Sequence, residues 1–363
     1  MTNSEQLIKD LELGRKEIKT DSYSMSIGEI INLYKEGEIE LTPAYQRLFR
    51  WEDEQKSRFI ESILLGIPLP PIFVAQKEGG KWSVVDGLQR ISTILQLTGD
   101  LSTKPPLQLT TTKKLPSLEG LNWQTLPEEI KRIFKRAKFG INIILTENSI
   151  QSQYELFQRL NTGGIQLEPQ EVRNCLIIML NEPFYDELAL LKEYSNFKNV
   201  LDLHDGRFEI EYHTELLLRY FILKTGNVDF SNYKSSSVLL SEFIDNETVK
   251  LVESKSFNLK IEETSFKETF DYFNQTLGER VFKRYNEDKG KFEGAFLESS
   301  FEAITPGVAT NIGEIKKLSK EQFEKKIIEL YKQPEYQKYC ARGIKAIPRM
   351  KGLSEFSKQY FSK

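Results

Sequence analysis

Five consecutive residues, Asp86-Gly87-Leu88-Gln89-Arg90, bring together the groups that a phosphate site requires. Gly87 lets the backbone turn sharply and approach a ligand. Arg90 can fork onto phosphate oxygens, Asp86 can hold a magnesium ion or orient Arg90, and Gln89 can position a water or a ribose. The same residues admit a plainer account, in which Asp86 caps the following helix and Arg90 makes an ordinary surface ion pair. The pentapeptide alone does not choose between the two.

Two other clusters carry comparable chemistry. Tyr45, Gln46, Arg47, Phe49, Arg50 and Trp51 mix aromatic rings with cations, so an arginine can hold a phosphate while a ring stacks on a base. The alternative is a strand edge with aromatics in the core and arginines in water. Further on, Asn161-Thr162-Gly163-Gly164 can form a backbone anion nest beside Arg159 and Arg173, or be the glycine-capped turn of a helix-loop-helix. The tail is locally basic, with Lys338, Arg342, Lys345, Arg349, Lys351, Lys358 and Lys363 against Glu355, which suits nucleic acid phosphates or a solvated terminal helix. His204 and His213 lie outside these clusters and lack spaced metal-ligand partners, so they read as surface or satisfied helix residues. Asp245 with Glu253-Ser254-Lys255 imitates a metal-dependent nuclease core, but it falls in helical sequence and reads as coincidence. No Walker-type loop is present.

The elements that must position these groups follow from periodicity. Trp82, Val84 and Val85 predict a strand, and Ile91, Ile94 and Leu95 lie on one face of a helix, which places Asp86 to Arg90 at the strand's exit. There the unpaired N–H groups and the positive end of the helix dipole favour an anion. A helix over Ile27 to Tyr34 stops at Gly37, and a brief strand, Ile39 to Leu41, delivers the aromatic and cationic cluster. Another helix runs from about Glu54 to Leu65 and ends at Gly66 and Pro68. Pro70 and Pro71 lead into a strand at Ile72 to Val74, joined to Trp82 by a Gly79-Gly80 hairpin. Leu126 to Phe134 and Ile141 to Leu145 give one more helix and strand. Beyond Asn181 helical patterns dominate: Phe184 to Leu191, Glu211 to Leu223, Ser236 to Phe243, Phe266 to Leu277, Phe296 to Ile304 and Phe323 to Tyr331, with breaks at Gly226-Asn227, Lys289-Gly290 and Pro306-Gly307. The expected organisation is therefore a helical arm over 1–20, which packs loosely or reaches another subunit in a homo-oligomer, an α+β domain over 21–180, and an all-helical domain over 181–363.

Composition narrows the class. With 363 residues, 39% hydrophobic and 28% charged, the chain suits a soluble globular protein of two domains. A net charge of -3 gives no global drive towards nucleic acid, so DNA contact requires a local basic surface. Cys175 and Cys340 form no C-x-x-C pair and imply neither a disulfide framework nor zinc. The longest apolar runs are far too short to span a membrane, and the polar, acid-bearing N-terminus is unlike a secretory signal. The expectation is a cytoplasmic protein.

Taken together, the segments PAYQRLFRW, FIESILLGIPLPPIFV, VVDGLQRISTILQL and FQRLNTGGIQLEPQEVRN resemble, in order and spacing over roughly residues 39–178, the N-terminal domain of GmrSD-type modification-dependent restriction systems. That resemblance implies a ParB- and sulfiredoxin-like fold with a small mixed sheet. In the family the D-G-Q-Q-R motif is associated with nucleoside triphosphate binding and hydrolysis. By resemblance, Asp86, Gly87, Gln89 and Arg90 form the phosphate and magnesium site, Gln46 and Arg47 face it, and Asn161, Thr162, Gly163 and Gly164 complete its rim. Asp86, Gln89 and Arg90 are then the catalytic residues, Asp86 the metal ligand, and Arg50, Arg159, Arg173, Arg342 and Arg349 the candidate nucleic acid contacts. Leu88 departs from the motif by replacing its first glutamine. The family's H-N-H nuclease domain is not matched, which implies a sensor or motor of a defence system whose cleavage comes from a separate nuclease or ATPase subunit. The alternative is a DNA-binding or adaptor module of the same fold without hydrolysis.

Overall fold

The computed structural model describes residues 5–9, 11, 20–41, 51–77, 79–145, 168–233 and 238–362. The chain divides into two units, Met1–Leu167 and Glu168–Lys363.

In the first unit, β1 (Thr20–Ser26), β2 (Ile39–Glu40), β3 (Ile72–Gln76), β4 (Trp82–Asp86) and β5 (Lys138–Ile144) form one mixed sheet in the order β1-β5-β3-β4-β2. Ile72, Phe73, Val74 and Ala75 are all buried, as the unbroken apolar run of a central strand requires. β3 is parallel to β5 and antiparallel to β4, and the Gly79-Gly80 turn joins it to β4 with both glycines at positive φ. The β3/β4 register shifts between Phe73 and Val74, so that Phe73 faces Asp86 while Val74 faces Val84. Such irregularities re-aim the residues at a strand's end.

Helices α1 (Ile27–Lys35), α2 (Asp53–Leu64), α3 (Leu88–Thr98) and α4 (Glu128–Arg136) complete this unit. Ile91, Ile94, Leu95 and Leu97 of α3 are buried with Ile60 and Ile63 of α2, Ile27 and Ile30 of α1, and Phe134 and Phe139. In the arm Leu7 and Leu11 are 67% and 53% exposed, and Thr20–Ser26 is an edge strand. The polar sequence of β1 gives little strand signal, because its place is fixed by backbone pairing to β5.

The second unit contains α5 (Pro169–Leu180), α6 (Glu182–Lys192), α7 (Ser195–Leu201), α8 (Asp205–Glu209), α9 (Tyr212–Thr225), α10 (Leu240–Glu253), α11 (Leu259–Thr276), α12 (Glu298–Thr310), α13 (Ile312–Ile315), α14 (Lys320–Tyr331), α15 (Pro334–Tyr339) and α16 (Ala346–Phe361). Its core is aromatic, with Phe266 and Phe270 in ring contact with each other and with both Phe197 and Tyr220.

Three expectations change here. The division falls at Leu167/Glu168, before α5, because α5 packs on α6 and α10. The Lys289-Gly290 break is the turn of a short hairpin, β6 (Arg284–Asn286) with β7 (Lys291–Glu293), so the unit is mostly rather than wholly helical. Pro306-Gly307 does not end a helix, since α12 runs on to Thr310. Ser357 of α16 accepts the Gly307 N–H at 2.8 Å, and a Cβ at Gly307 would lie 2.3 Å from that hydroxyl oxygen. Tertiary packing here overrides the local breaker.

Candidate functional site

The strand-to-helix turn forms as its residue types dictate. β4 ends at Asp86, and Gly87, at φ 94°, is the N-cap of α3. A Cβ at Gly87 would meet Ile72 Cγ1 at 2.9 Å and Arg90 Nη2 at 3.3 Å, so both backbone angle and space demand glycine. The first bond of the helix runs from the Ile91 N–H to the Gly87 carbonyl. The N–H groups of Leu88, Gln89 and Arg90 precede it and face the helix's positive end.

Three side chains knit this turn to its neighbours. Asp86 Oδ1 accepts the Gly87 N–H at 2.7 Å, and Asp86 Oδ2 accepts from Arg90 Nη2 at 3.0 Å. Arg90 Nη1 donates to the Pro71 carbonyl at 3.0 Å and also to that of Pro70, fastening the loop that enters β3. The Arg90 side chain is only 12% exposed, and burial lowers its pKa while Asp86 offsets part of that shift. Gln89 Oε1 accepts the Trp51 N–H at 3.2 Å, tying α3 to the chain that enters α2. Leu88 packs against the core instead of presenting a polar group.

Among the described residues no cluster of three or more His, Cys, Asp or Glu is placed to hold a metal. Asp86 is a lone carboxylate already bonded to Gly87 and Arg90. It suits magnesium only in the manner of a triphosphate site, where phosphate and water supply most of the oxygens.

The other expected site residues are distributed unevenly. Gln46, Arg47, Arg50, Arg159, Asn161, Thr162, Gly163 and Gly164 lie outside the described residues. Arg342 is exposed. Arg173 and Arg349 are not free to meet nucleic acid phosphates. Arg173 is 0% exposed, and its Nε donates to Asp245 at 2.7 Å while Nη1 reaches Gln170 and Glu215. Arg349 bonds Glu302 at 2.7 Å and Glu298 at 3.2 Å. Burial corrects the Arg173 assignment, while Arg349, 20% exposed, is held by the carboxylates of Glu298 and Glu302.

The network behind them was not visible as one unit in the sequence. Arg219 of α9 joins Glu215 to Glu298 and Glu302 of α12, and the Tyr212 hydroxyl donates to Glu298 at 2.6 Å. Burial raises the pKa of Glu302, with Arg349 and Arg219 offsetting part of the shift. The available signal was Tyr212, Glu215 and Arg219 at helical spacing beside the apolar Leu216-Leu217-Leu218 run. His213, expected at the surface or satisfied, is 3% exposed with neither ring nitrogen hydrogen-bonded, and burial depresses its pKa to about 4. His204 is exposed.

No described helix is long and apolar enough to cross a membrane. No curated protein and no solved structure matches this chain. One family does match, described as the GmrSD restriction endonuclease N-terminal domain, over residues 27–178. That span contains the sheet from β2 to β5, the Asp86–Arg90 turn and all but the last two residues of α5. Over residues 27–178 the chain is therefore similar to the GmrSD restriction endonuclease N-terminal domain.

Proposed function

We propose that this protein is a nucleoside-triphosphate-dependent regulator in a DNA restriction or anti-phage defence system, with cleavage supplied by a separate subunit. The observation that carries the reading is the turn at Asp86–Arg90. A glycine N-cap at positive φ opens α3 towards an anion, and a carboxylate and a guanidinium stand paired beside it. Triphosphate would sit on the N–H groups that open α3, with Asp86 as one oxygen ligand of its magnesium. Magnesium would supply charge neutralisation between the phosphates. Gln89 and Arg90 then couple occupancy to other segments, since one holds Trp51 and the other holds Pro70 and Pro71. Nucleotide state would thereby govern DNA contact or partner release in the cytoplasm.

The test is phosphate release by the purified protein with each of the four nucleoside triphosphates and magnesium, wild type beside Asp86→Ala. Turnover lost in the variant supports hydrolysis at this turn. Equal turnover in both proteins removes the site from Asp86.

A second reading, a DNA-binding or adaptor module that no longer hydrolyses nucleotide, rests on two specific observations. Leu88 is partly buried against the core, and the Arg90 guanidinium is already bonded to two carbonyls and Asp86. Salt-dependent DNA affinity that is indifferent to nucleotide would favour it.

A further inference from the structure

A cavity of the first unit lies not at the Asp86 end of β4 but at its beginning. It has a volume of about 620 Å³ and is lined by Tyr23 and Trp82, by Met25 and Leu33, and by Glu29 and Glu38. The two rings stand 5.9 Å apart at 56°, with Tyr23 42% exposed. Both rings line the cavity.

Charge decides what such a cavity can hold. Among the described residues, both lining carboxylates are without an ion pair or side-chain hydrogen bond and no lysine or arginine lines the cavity. The nearby Lys77 and Lys81 instead bind Glu40, at 3.1 Å and 3.2 Å. Glu29 is close enough to act on the Tyr23 phenol, whose pKa is raised by burial, then by Asp21 and Glu29. The cavity therefore repels phosphates, which separates it from the nucleotide chemistry of the Asp86 turn. A metal ion is a poor guest, since no three His, Cys, Asp or Glu residues converge among the described residues. An organic cation matches both features, with aromatic faces for its alkyl and cationic body and carboxylates for its N–H groups.

We propose that the cavity between β1, α1 and the start of β4 is a binding site for an alkylammonium group, held by Tyr23, Trp82, Glu29 and Glu38. That chemistry reaches it either as a free polyamine or as a lysine side chain of a polypeptide. The protein is titrated calorimetrically and by tryptophan fluorescence with spermidine and with pentalysine, in physiological salt. The expected result is saturable binding of at least one probe, weakened tenfold or more in Glu29→Gln/Glu38→Gln. The control Glu119→Gln/Glu129→Gln makes the same change in net charge without touching the lining and is expected to bind as wild type does. Tighter spermidine binding assigns the free polyamine, and tighter pentalysine binding assigns the lysine side chain. Absence of saturable binding of either probe, or equal weakening in the two double variants, overturns the proposal. Nucleotide binding at Asp86 is independent of every one of these outcomes.

Discussion

Arg90 and Arg173 both fall within the matched family domain, yet their surroundings put them to different uses. Arg90 retains 12% exposure and bonds backbone carbonyls of a loop as well as one carboxylate. Arg173 has no exposure and bonds carboxylates from two other helices, Glu215 of α9 and Asp245 of α10. A guanidinium on carbonyls at a helix N-terminus can exchange partners with an arriving anion at modest cost. One enclosed among carboxylates cannot leave without stranding buried charge. The comparison teaches that a motif's arginines divide by the partners they already hold, not by residue type.

Breaking the buried side of this comparison should have the largest effect. Arg173→Ala removes the buried guanidinium that bonds Asp245 and leaves Glu215 to Arg219 alone, and should lower unfolding free energy by about 3–5 kcal/mol in urea titration. Arg173→Met with Asp245→Leu, which removes both signs, should recover much of that loss. A single variant as stable as wild type would make the buried network energetically idle.

His213 extends the test to the same interior. Its pKa is depressed to about 4 by burial, against about 6.5 when unfolded. Between those values the unfolded chain binds a proton that the native one does not. Stability is therefore lost as pH falls from about 6.5 towards 4, by up to about 3 kcal/mol. His213→Leu should flatten that part of the stability profile, and an unchanged slope would place the titration elsewhere.

At the other pole, Gly87→Ala forces a side chain onto Ile72 and a positive φ onto alanine. A loss of about 1–3 kcal/mol is expected from chemical denaturation, with weakened nucleotide binding. Arg90→Ala is the mildest change, about 1–2 kcal/mol, because its lost bonds lie partly at the surface and water replaces some of them. Its effect on nucleotide affinity should exceed its effect on folding. The reverse ranking would make Arg90 a loop fastener alone.

The pattern of legibility follows the same division. The strand at Trp82, the turn at Gly87 and the buried face of Ile91, Ile94 and Leu95 are written in local periodicity, and the structure has all three. The Gly79-Gly80 hairpin is equally local. What sequence could not reveal is pairing over distance. Asp245 is 72 residues from Arg173, and nothing between them announces the bond. Pro306 and Gly307 look like a helix end because local rules cannot see Ser357 receiving the Gly307 N–H. Thr20–Ser26 is a strand because β5 lies beside it, not because its own residues favour one.

The central claim is that the Asp86–Arg90 turn holds a nucleoside triphosphate, and equilibrium binding tests it most directly. Magnesium with each nucleoside triphosphate is titrated into wild type and into Asp86→Asn, which keeps the side chain's shape and its acceptor for Gly87. The account expects saturable binding of at least one nucleotide, weakened tenfold or more in the variant, with both proteins folded by circular dichroism. Undiminished affinity in Asp86→Asn, or no binding by folded wild type, would contradict it.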